Sequence, residues 1–215
     1  SVTLTKNHHL PTGIATITLA GGIGAVAKAM DSGVETLGVI SSDADTAKEL
    51  LMINGFSRVF ELIFYGDLAL ASLASMKRLK VEGVGGKLTE DQLYNNRRQA
   101  DFYILMLTCG LGMSVVALSQ DLFVLFIGLE LASFSTYVLV AFLKESKAGA
   151  EAGMKYFIVG SVASGVGLYG LSMLYLWAGS LQFEVLATAF ATSGTEPLPL
   201  IGIGFVLVGF GFKVS

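Results

Sequence analysis

The chain has 215 residues, of which 53% are hydrophobic and only 14% are charged, and its formal net charge is −3. Its mean hydropathy is +0.68. Soluble domains carry about 25% charged residues, and a weakly acidic chain without a long basic run is not a nucleic-acid binder. The single cysteine, Cys109, excludes an internal disulfide framework and any iron–sulfur or structural zinc site built from this chain alone. This composition is typical of a membrane protein.

Six segments are candidates for membrane-spanning helices, which need roughly 20 mostly apolar residues to cross a hydrocarbon core about 30 Å thick. They are residues 10–27, 56–76, 102–119, 122–143, 156–178 and 198–212. The second segment holds Arg58, Glu61 and Asp67, and the fourth holds a single charge, Glu130. The predicted fold class is therefore all-α, a polytopic transmembrane bundle of about six helices.

The segments that connect these spans alternate in charge. Residues 77–101 hold six basic side chains and four acidic ones, and residues 144–155 hold three and two, whereas residues 28–55 and 178–197 are acidic. Two spans separate the basic loops, so both loops lie on one face of the membrane, which the positive-inside rule identifies as cytoplasmic. The sequence thus predicts a cytoplasmic N-terminus, and the alternation requires all six spans.

Glu130 is the most informative charged residue, because it falls near the middle of its predicted span. An ionised, unpaired carboxylate at that depth costs on the order of 3 kcal/mol on insertion scales. The side chain must therefore be protonated, be paired with a cation, or face water. A carboxyl group held between these states can take up and release a proton as its partner moves. The alternative is a static helix–helix hydrogen bond from a protonated glutamate.

Lys213 is the natural counter-charge for Glu130. It lies about 22 Å along its helix from residue 198, past the middle of the membrane. A buried lysine loses its proton readily, which suits a proton relay, although a lysine in this position can also snorkel to the interface. Sequence positions give no distance between the two groups.

Asp67 also falls in an apolar run. Either it faces the bundle interior or a neighbouring subunit, or the predicted span is misplaced.

Small residues crowd the fifth predicted span. Such residues let membrane helices approach closely where the hydrophobic effect provides no driving force, so a packing role is favoured over a ligand site. The residues concerned are Gly160, Ser161, Ala163, Ser164, Gly165, Gly167 and Gly170.

A soluble dinucleotide-binding module is an alternative of a different class. Gly22-x-Gly24-x-x-Ala27 fits the relaxed dinucleotide fingerprint, and Asp43 follows at about the right interval. That fingerprint requires a preceding strand and a surrounding βαβ unit. No further α/β alternation is found after residue 56, so the match is weak.

Three stretches resemble the antiporter-like subunits of proton-pumping NADH–quinone oxidoreductase (complex I), in the branch of subunit N. Residues 121–142, DLFVLFIGLELASFSTYVLVAF, are similar to the family pattern DL-x-x-LF-x-x-LEL-x-S-x-x-x-Y-x-LVAF. Residues 151–160, EAGMKYFIVG, resemble EA-x-x-KYF-x-x-G, and residues 209–215, GFGFKVS, resemble the start of G-x-x-FK-x-S. Leu129 replaces the tryptophan usual in the sister subunits and so favours the N branch. A membrane-bound hydrogenase subunit or a cation–proton antiporter subunit of the same fold would look similar.

The resemblance implies a domain organisation and site residues. Residues 56–215, which the resemblance covers, would form an antiporter-like transmembrane domain truncated at its C-terminus. Residues 1–55 lie outside the resemblance, and their hydropathy and charge predict an N-terminal span and an acidic outer loop. The chain would then be about half of a fourteen-helix subunit. Glu130 would be the family glutamate of the fifth helix, and Lys213 the lysine of the broken seventh helix. Asp67 matches no family role.

The resemblance also implies a function. The chain would carry one proton-translocation channel as a non-redox subunit of a translocase, driven by redox chemistry elsewhere in the complex. The chain itself would hold no cofactor. NAD(H) and quinone would be used by the whole complex. Its partners would be other membrane subunits and the lipid bilayer of the cell membrane, with no nucleic acid.

Overall fold

The protein is an all-α helical bundle in its computed structural model, which describes residues 50–52, 54–75, 90–142, 146–193 and 195–214. The predicted fold class is thereby confirmed. Six helices are found in these ranges: α1 (Gly55–Ser75), α2 (Glu90–Leu118), α3 (Leu122–Val140), α4 (Lys147–Ala178), α5 (Phe183–Ser193) and α6 (Pro197–Val214).

Four of these helices are long and apolar enough to cross a membrane. The qualifying stretches are Ala100–Leu118 within α2, Leu122–Val140, Lys147–Ala178 and Pro197–Val214. The shortest of them still extends about 27 Å at 1.5 Å per residue, which matches the hydrocarbon core. The helix α1 coincides with the predicted span 56–76, but its three charged side chains keep it out of this group.

The N-terminal predictions fall outside the described residues. These are the first span (10–27), nearly all of the acidic loop (28–55) and the dinucleotide fingerprint with Gly22, Gly24, Ala27 and Asp43. The described remainder consists of helices with two isolated β-bridges and no α/β alternation.

Neighbouring helices run antiparallel and pack in sequence, α1 on α2, α2 on α3, α3 on α4 and α4 on α6. Leu68, Tyr103 and Met106 pack together between α1 and α2. A 3.0 Å hydrogen bond from Ser114 Oγ to the Tyr65 hydroxyl also joins these two helices. The core between α3, α4, α5 and α6 is built mainly from leucine, with Phe126 and Val206. The helix α4 thus contacts both α3 and α6.

Three connections meet at one end of the bundle, here called the turn end and defined by residues 119–121 between α2 and α3. Antiparallel bridges join Leu51 to Ser119 and Asp121 to Gln182. Backbone hydrogen bonds of 2.8–3.1 Å flank both bridges. The turn between α2 and α3 is therefore held from both sides, and it fixes the level at which α3 begins.

The α4–α6 contact is close because small residues face each other. A Cβ added to Gly209 would lie 2.7 Å from the Gly167 Cα atom, and one added to Gly170 would lie 2.6 Å from the Gly202 carbonyl oxygen. Such backbone contact supplies van der Waals packing between membrane helices. Of the small residues singled out in the sequence, four are buried, Gly160, Ala163, Gly167 and Gly170, whereas Ser161 and Gly165 are exposed.

The predicted loops are wrong in extent, because helices run into them. The loop 178–197 contains α5, whose Phe183, Leu186 and Phe190 recur at helical spacing; Leu186 is buried and Phe190 packs against Trp177 with ring centroids 4.7 Å apart. The helices α2 and α4 begin inside the loops 77–101 and 144–155. At the start of α4, an exposed i,i+4 ion pair between Glu151 and Lys155 supports helix formation outside the apolar stretch.

We expect Gly170→Ala to destabilise the whole protein in detergent by about 1–3 kcal/mol, because the added methyl group overlaps backbone atoms of α6. Gly165→Ala, on the same helix, is the matched control, since a Cβ there would meet no atom of a neighbouring helix within 4 Å. Thermal unfolding followed by circular dichroism measures the difference. Equal unfolding temperatures for the two variants would contradict the packing described for α4 and α6.

Candidate functional site: a buried acid–base pair

The start of α3 sets the depth of Glu130. Asp121 caps the helix, and its carboxylate accepts hydrogen bonds from the backbone N–H groups of Phe123 at 2.8 Å and Val124 at 3.2 Å. A side-chain cap of this kind satisfies N–H groups that the helix leaves unpaired. Glu130 follows eight residues after Leu122, about 12 Å along the axis. The turn end therefore places the carboxylate in the interior of an apolar helix.

The packing of α6 on α4 directs Lys213 towards Glu130. Lys213 follows Gly209 by one helical turn, so both lie on the face of α6 that touches α4. Its Nζ atom lies 3.0 Å from Glu130 Oε1. The lysine side chain is 10% exposed and the glutamate side chain 32%. The structure thus brings together two groups that lie 83 positions apart in the chain.

Tyr137 is a second partner of the lysine. Its hydroxyl oxygen accepts a 3.0 Å hydrogen bond from Lys213 Nζ, and its side chain is only 5% exposed. Tyr137 follows Glu130 by seven residues, or about two helical turns, so both occupy one stripe of α3. Room for the hydroxyl exists because Gly160 has no side chain: a Cβ there would lie 2.2 Å from the tyrosine oxygen.

Ser164 of α4 is the second partner of the glutamate. Its Oγ atom lies 2.7 Å from Glu130 Oε1 and 2.9 Å from the Gly160 carbonyl oxygen. One hydroxyl proton serves both acceptors. Serine and lysine therefore approach the same carboxylate oxygen, and no residue in the described ranges hydrogen-bonds to Oε2.

The four side chains form a compact polar cluster between apolar helices. Two opposite charges separated by 3.0 Å attract each other far more strongly in a low-dielectric interior than in water. Removing either charge leaves the other buried and uncompensated. The arrangement can therefore keep both groups ionised while they touch, and it penalises both charges when they separate.

Asp67 is not part of this cluster. It lies on the exposed face of α1, a helix that packs on α2.

Tyr137 and Ser164 were not among the site residues predicted from the sequence. The seven-residue spacing of Glu130 and Tyr137, which places both on one stripe of α3, could have pointed to the tyrosine. Ser164 was assigned a packing role together with the small residues around it. Among the described residues, no three His, Cys, Asp or Glu side chains come together as a metal site would require.

Residues 119–215, which include Glu130 and Lys213, match the family model "NADH:quinone oxidoreductase/Mrp antiporter, TM". This part of the chain, about 45% of its length, is therefore similar to the antiporter family. Subunit N of NADH-quinone oxidoreductase from Parvibaculum lavamentivorans is 34% identical over 171 residues, covering 80% of this chain and 33% of the relative. The chain spans about a third of the length of the curated relatives it matches.

Two solved structures share the fold of this chain. A chain of respiratory complex I from Thermus thermophilus superimposes with a TM-score of 0.67 at 23% identity, covering 96% of this chain and 39% of that one. A chain of the archaeal membrane-bound sulfane sulfur reductase, a respiratory membrane complex, gives a TM-score of 0.71 at 21% identity, with coverages of 93% and 38%. At these identities the likeness establishes the architecture of the helices.

We expect a double-mutant cycle of Glu130→Gln and Lys213→Met to show strong coupling in the stability of the whole protein. Each single variant leaves a buried charge without its partner, whereas the double variant leaves none. The coupling energy should therefore be at least about 1 kcal/mol, in the direction that makes the double variant more stable than additivity predicts. Equilibrium unfolding in mixed detergent micelles measures it, and additive losses would contradict a direct contact.

Proposed function

We propose that this chain is part of a membrane subunit that carries one proton-translocation channel of a respiratory NADH–quinone oxidoreductase, or of a related oxidoreductase. The observation that carries the proposal is the Lys213–Glu130 pair, with Nζ and Oε1 3.0 Å apart inside an apolar bundle. The antiporter family and the relatives named subunit N support the same function. In this proposal, redox chemistry elsewhere in the complex drives the channel by changing its conformation.

The pair acts as a switch in this mechanism. When Lys213 and Glu130 touch, each charge stabilises the other, and both groups stay ionised. When a helix movement separates them, each charge is left in a low-dielectric interior, and the neutral forms are favoured. The carboxylate then binds a proton, and the ammonium releases one to an acceptor elsewhere in the whole subunit. Cycles of separation and contact thus move protons.

Glu130 and Lys213 are the relay residues of this proposal. Asp67 keeps a weaker role as a candidate, because it is a carboxylate on the exposed side of α1 and lies apart from the pair. An exposed carboxylate on the largely apolar second half of this helix suits a contact with a polar group of a neighbouring subunit.

In this proposal, electron transfer takes place in other subunits of the complex. The subunit would act as a non-redox part of the translocase, while NAD(H) and quinone would serve other subunits of the whole complex. Other membrane subunits and lipid would surround the bundle; the many exposed apolar side chains of α4 and α6, such as Val162, Leu176 and Leu207, support such surroundings.

We further propose that the chain lies in the cell membrane with its N-terminus in the cytoplasm. The positive-inside rule supports this orientation. The turn end would then face outwards, and the start of α4 and the Lys213 end of α6 would lie towards the cytoplasm.

A cation–proton antiporter subunit is the second candidate. The family description itself includes the Mrp antiporter, and an acid–base pair in a membrane bundle suits exchange of protons for another cation as well. Dependence of transport on sodium ions separates the two functions, because a respiratory proton channel requires none.

In the whole subunit within its assembled complex, Glu130→Gln or Lys213→Ala should reduce proton pumping strongly while leaving assembly largely intact, because each removes one half of the switch. Pumping in reconstituted vesicles, normalised to electron transfer, is the measurement. Glu151→Gln and Lys155→Ala are matched controls, since they remove an exposed acid–base pair on α4. Normal pumping in either Glu130→Gln or Lys213→Ala would overturn the relay assignment.

The proposed orientation predicts which side of the membrane each helix end reaches. In a Cys109→Ser background, Glu184→Cys on α5 should react with a membrane-impermeant maleimide in intact cells. Lys147→Cys at the start of α4 should react only after the cells are opened. Both positions are exposed in the structure, and the Cys109→Ser protein alone is the unlabelled control. The opposite labelling pattern would show that the orientation is inverted.

A further inference from the structure

We propose that the hydroxyl groups of Tyr137 and Ser164 are positioning groups that hold Lys213 and Glu130 when the pair separates. This inference rests on the proposed function and adds two residues to it. Each hydroxyl already contacts one member of the pair: Tyr137 accepts from Lys213 Nζ at 3.0 Å, and Ser164 lies 2.7 Å from Glu130 Oε1.

Tyr137 is a fixed acceptor. Its ring is buried and lies edge-on to the rings of Tyr156 and Phe157, with centroids 4.6 Å and 6.0 Å away. Its hydroxyl rests on the backbone of Gly160. The lysine side chain, in contrast, has a flexible four-carbon stem. The ammonium group can therefore swing away from the carboxylate while it keeps its hydrogen bond to the tyrosine.

Ser164 plays the corresponding part for the carboxylate. Its hydroxyl proton can point either to Glu130 Oε1 or to the Gly160 carbonyl oxygen, which lie 2.7 Å and 2.9 Å from Oγ. It donates to Glu130 when the lysine leaves, and it returns to the backbone when the carboxyl group is protonated. No bond other than hydrogen bonds changes in this step, and no proton leaves the serine.

The two hydroxyls together lower the energetic cost of separation. Without them, the separated state would expose a bare ammonium and a bare carboxylate to an apolar interior, which is strongly unfavourable. With them, each charged group keeps one hydrogen bond of the kind that charged groups make most strongly. The separated state is then populated often enough for protons to enter and leave.

The test compares hydroxyl deletions in the whole assembled complex. Tyr137→Phe should reduce pumping per electron transferred about three- to tenfold, the effect of one lost hydrogen bond between membrane helices. Tyr156→Phe is the matched control, because its ring packs against Tyr137 at 4.6 Å and no hydrogen bond of its hydroxyl is found in the described residues. Ser164→Ala should act like Tyr137→Phe, and Ser164→Thr should restore pumping. Ser161→Ala, an exposed serine of the same helix, should pump normally.

A spectroscopic readout separates positioning from general damage. The infrared band of the protonated Glu130 carboxyl group, identified by its loss in Glu130→Gln, should weaken during turnover in Tyr137→Phe and should keep its intensity in Tyr156→Phe. Normal pumping and an unchanged band in Tyr137→Phe would overturn the proposal. If Tyr137→Phe does not assemble, normal pumping by Ser164→Ala overturns it.

Glu130→Gln distinguishes this inference from the function on which it rests. If Glu130→Gln pumps normally, the proposed function itself is wrong. If Glu130→Gln abolishes pumping while Tyr137→Phe and Ser164→Ala pump normally, the relay stands and only the role of the hydroxyls is wrong.

Discussion

A carboxylate and an ammonium group tolerate an apolar interior only as a pair, and this constraint organises the site. Glu130 and Lys213 meet at 3.0 Å, close enough for each charge to offset the desolvation of the other. The same low dielectric that strengthens the pair makes each group unstable alone. The proposed function uses this property, because a helix movement that separates the two groups would leave each charge without its partner.

Backbone contact between helices makes the pair geometrically possible. Gly209 against Gly167 brings α6 onto α4, and Gly112 against Gly128 brings α3 onto α2, with a Cβ at Gly128 only 2.9 Å from the Gly112 carbonyl oxygen. In lipid, such packing replaces the hydrophobic effect as the main attraction between helices. Gly167 and Gly209 therefore influence the site without touching its charged atoms, since they set the distance between α4, which carries Ser164, and α6, which carries Lys213.

Sequence reasoning succeeded for the elements whose signal is continuous along the chain. The apolar runs that became α3 and α6 were predicted close to their observed places, and the predicted spans 102–119 and 122–143 leave only two residues between them, where the structure has a turn. It missed α5, because an 11-residue helix with Phe183, Leu186 and Phe190 on one face is too short to stand out between two strong spans. It also began α4 too late, at residue 156 and not at Lys147, because a polar helical segment outside the membrane carries no hydropathy signal.

The sequence by itself determined the class of this protein and the identity of its two central charged groups. Hydropathy indicates that the chain enters a membrane, and the cost of a charge at mid-span singles out Glu130 and makes Lys213 its natural counter-charge. Only the tertiary structure decided that these groups meet, that Tyr137 and Ser164 join them, and that Asp67 stands apart. The reason is physical: contacts across helices depend on their rotation and crossing, which are set by packing of distant residues and leave no periodic trace in the chain.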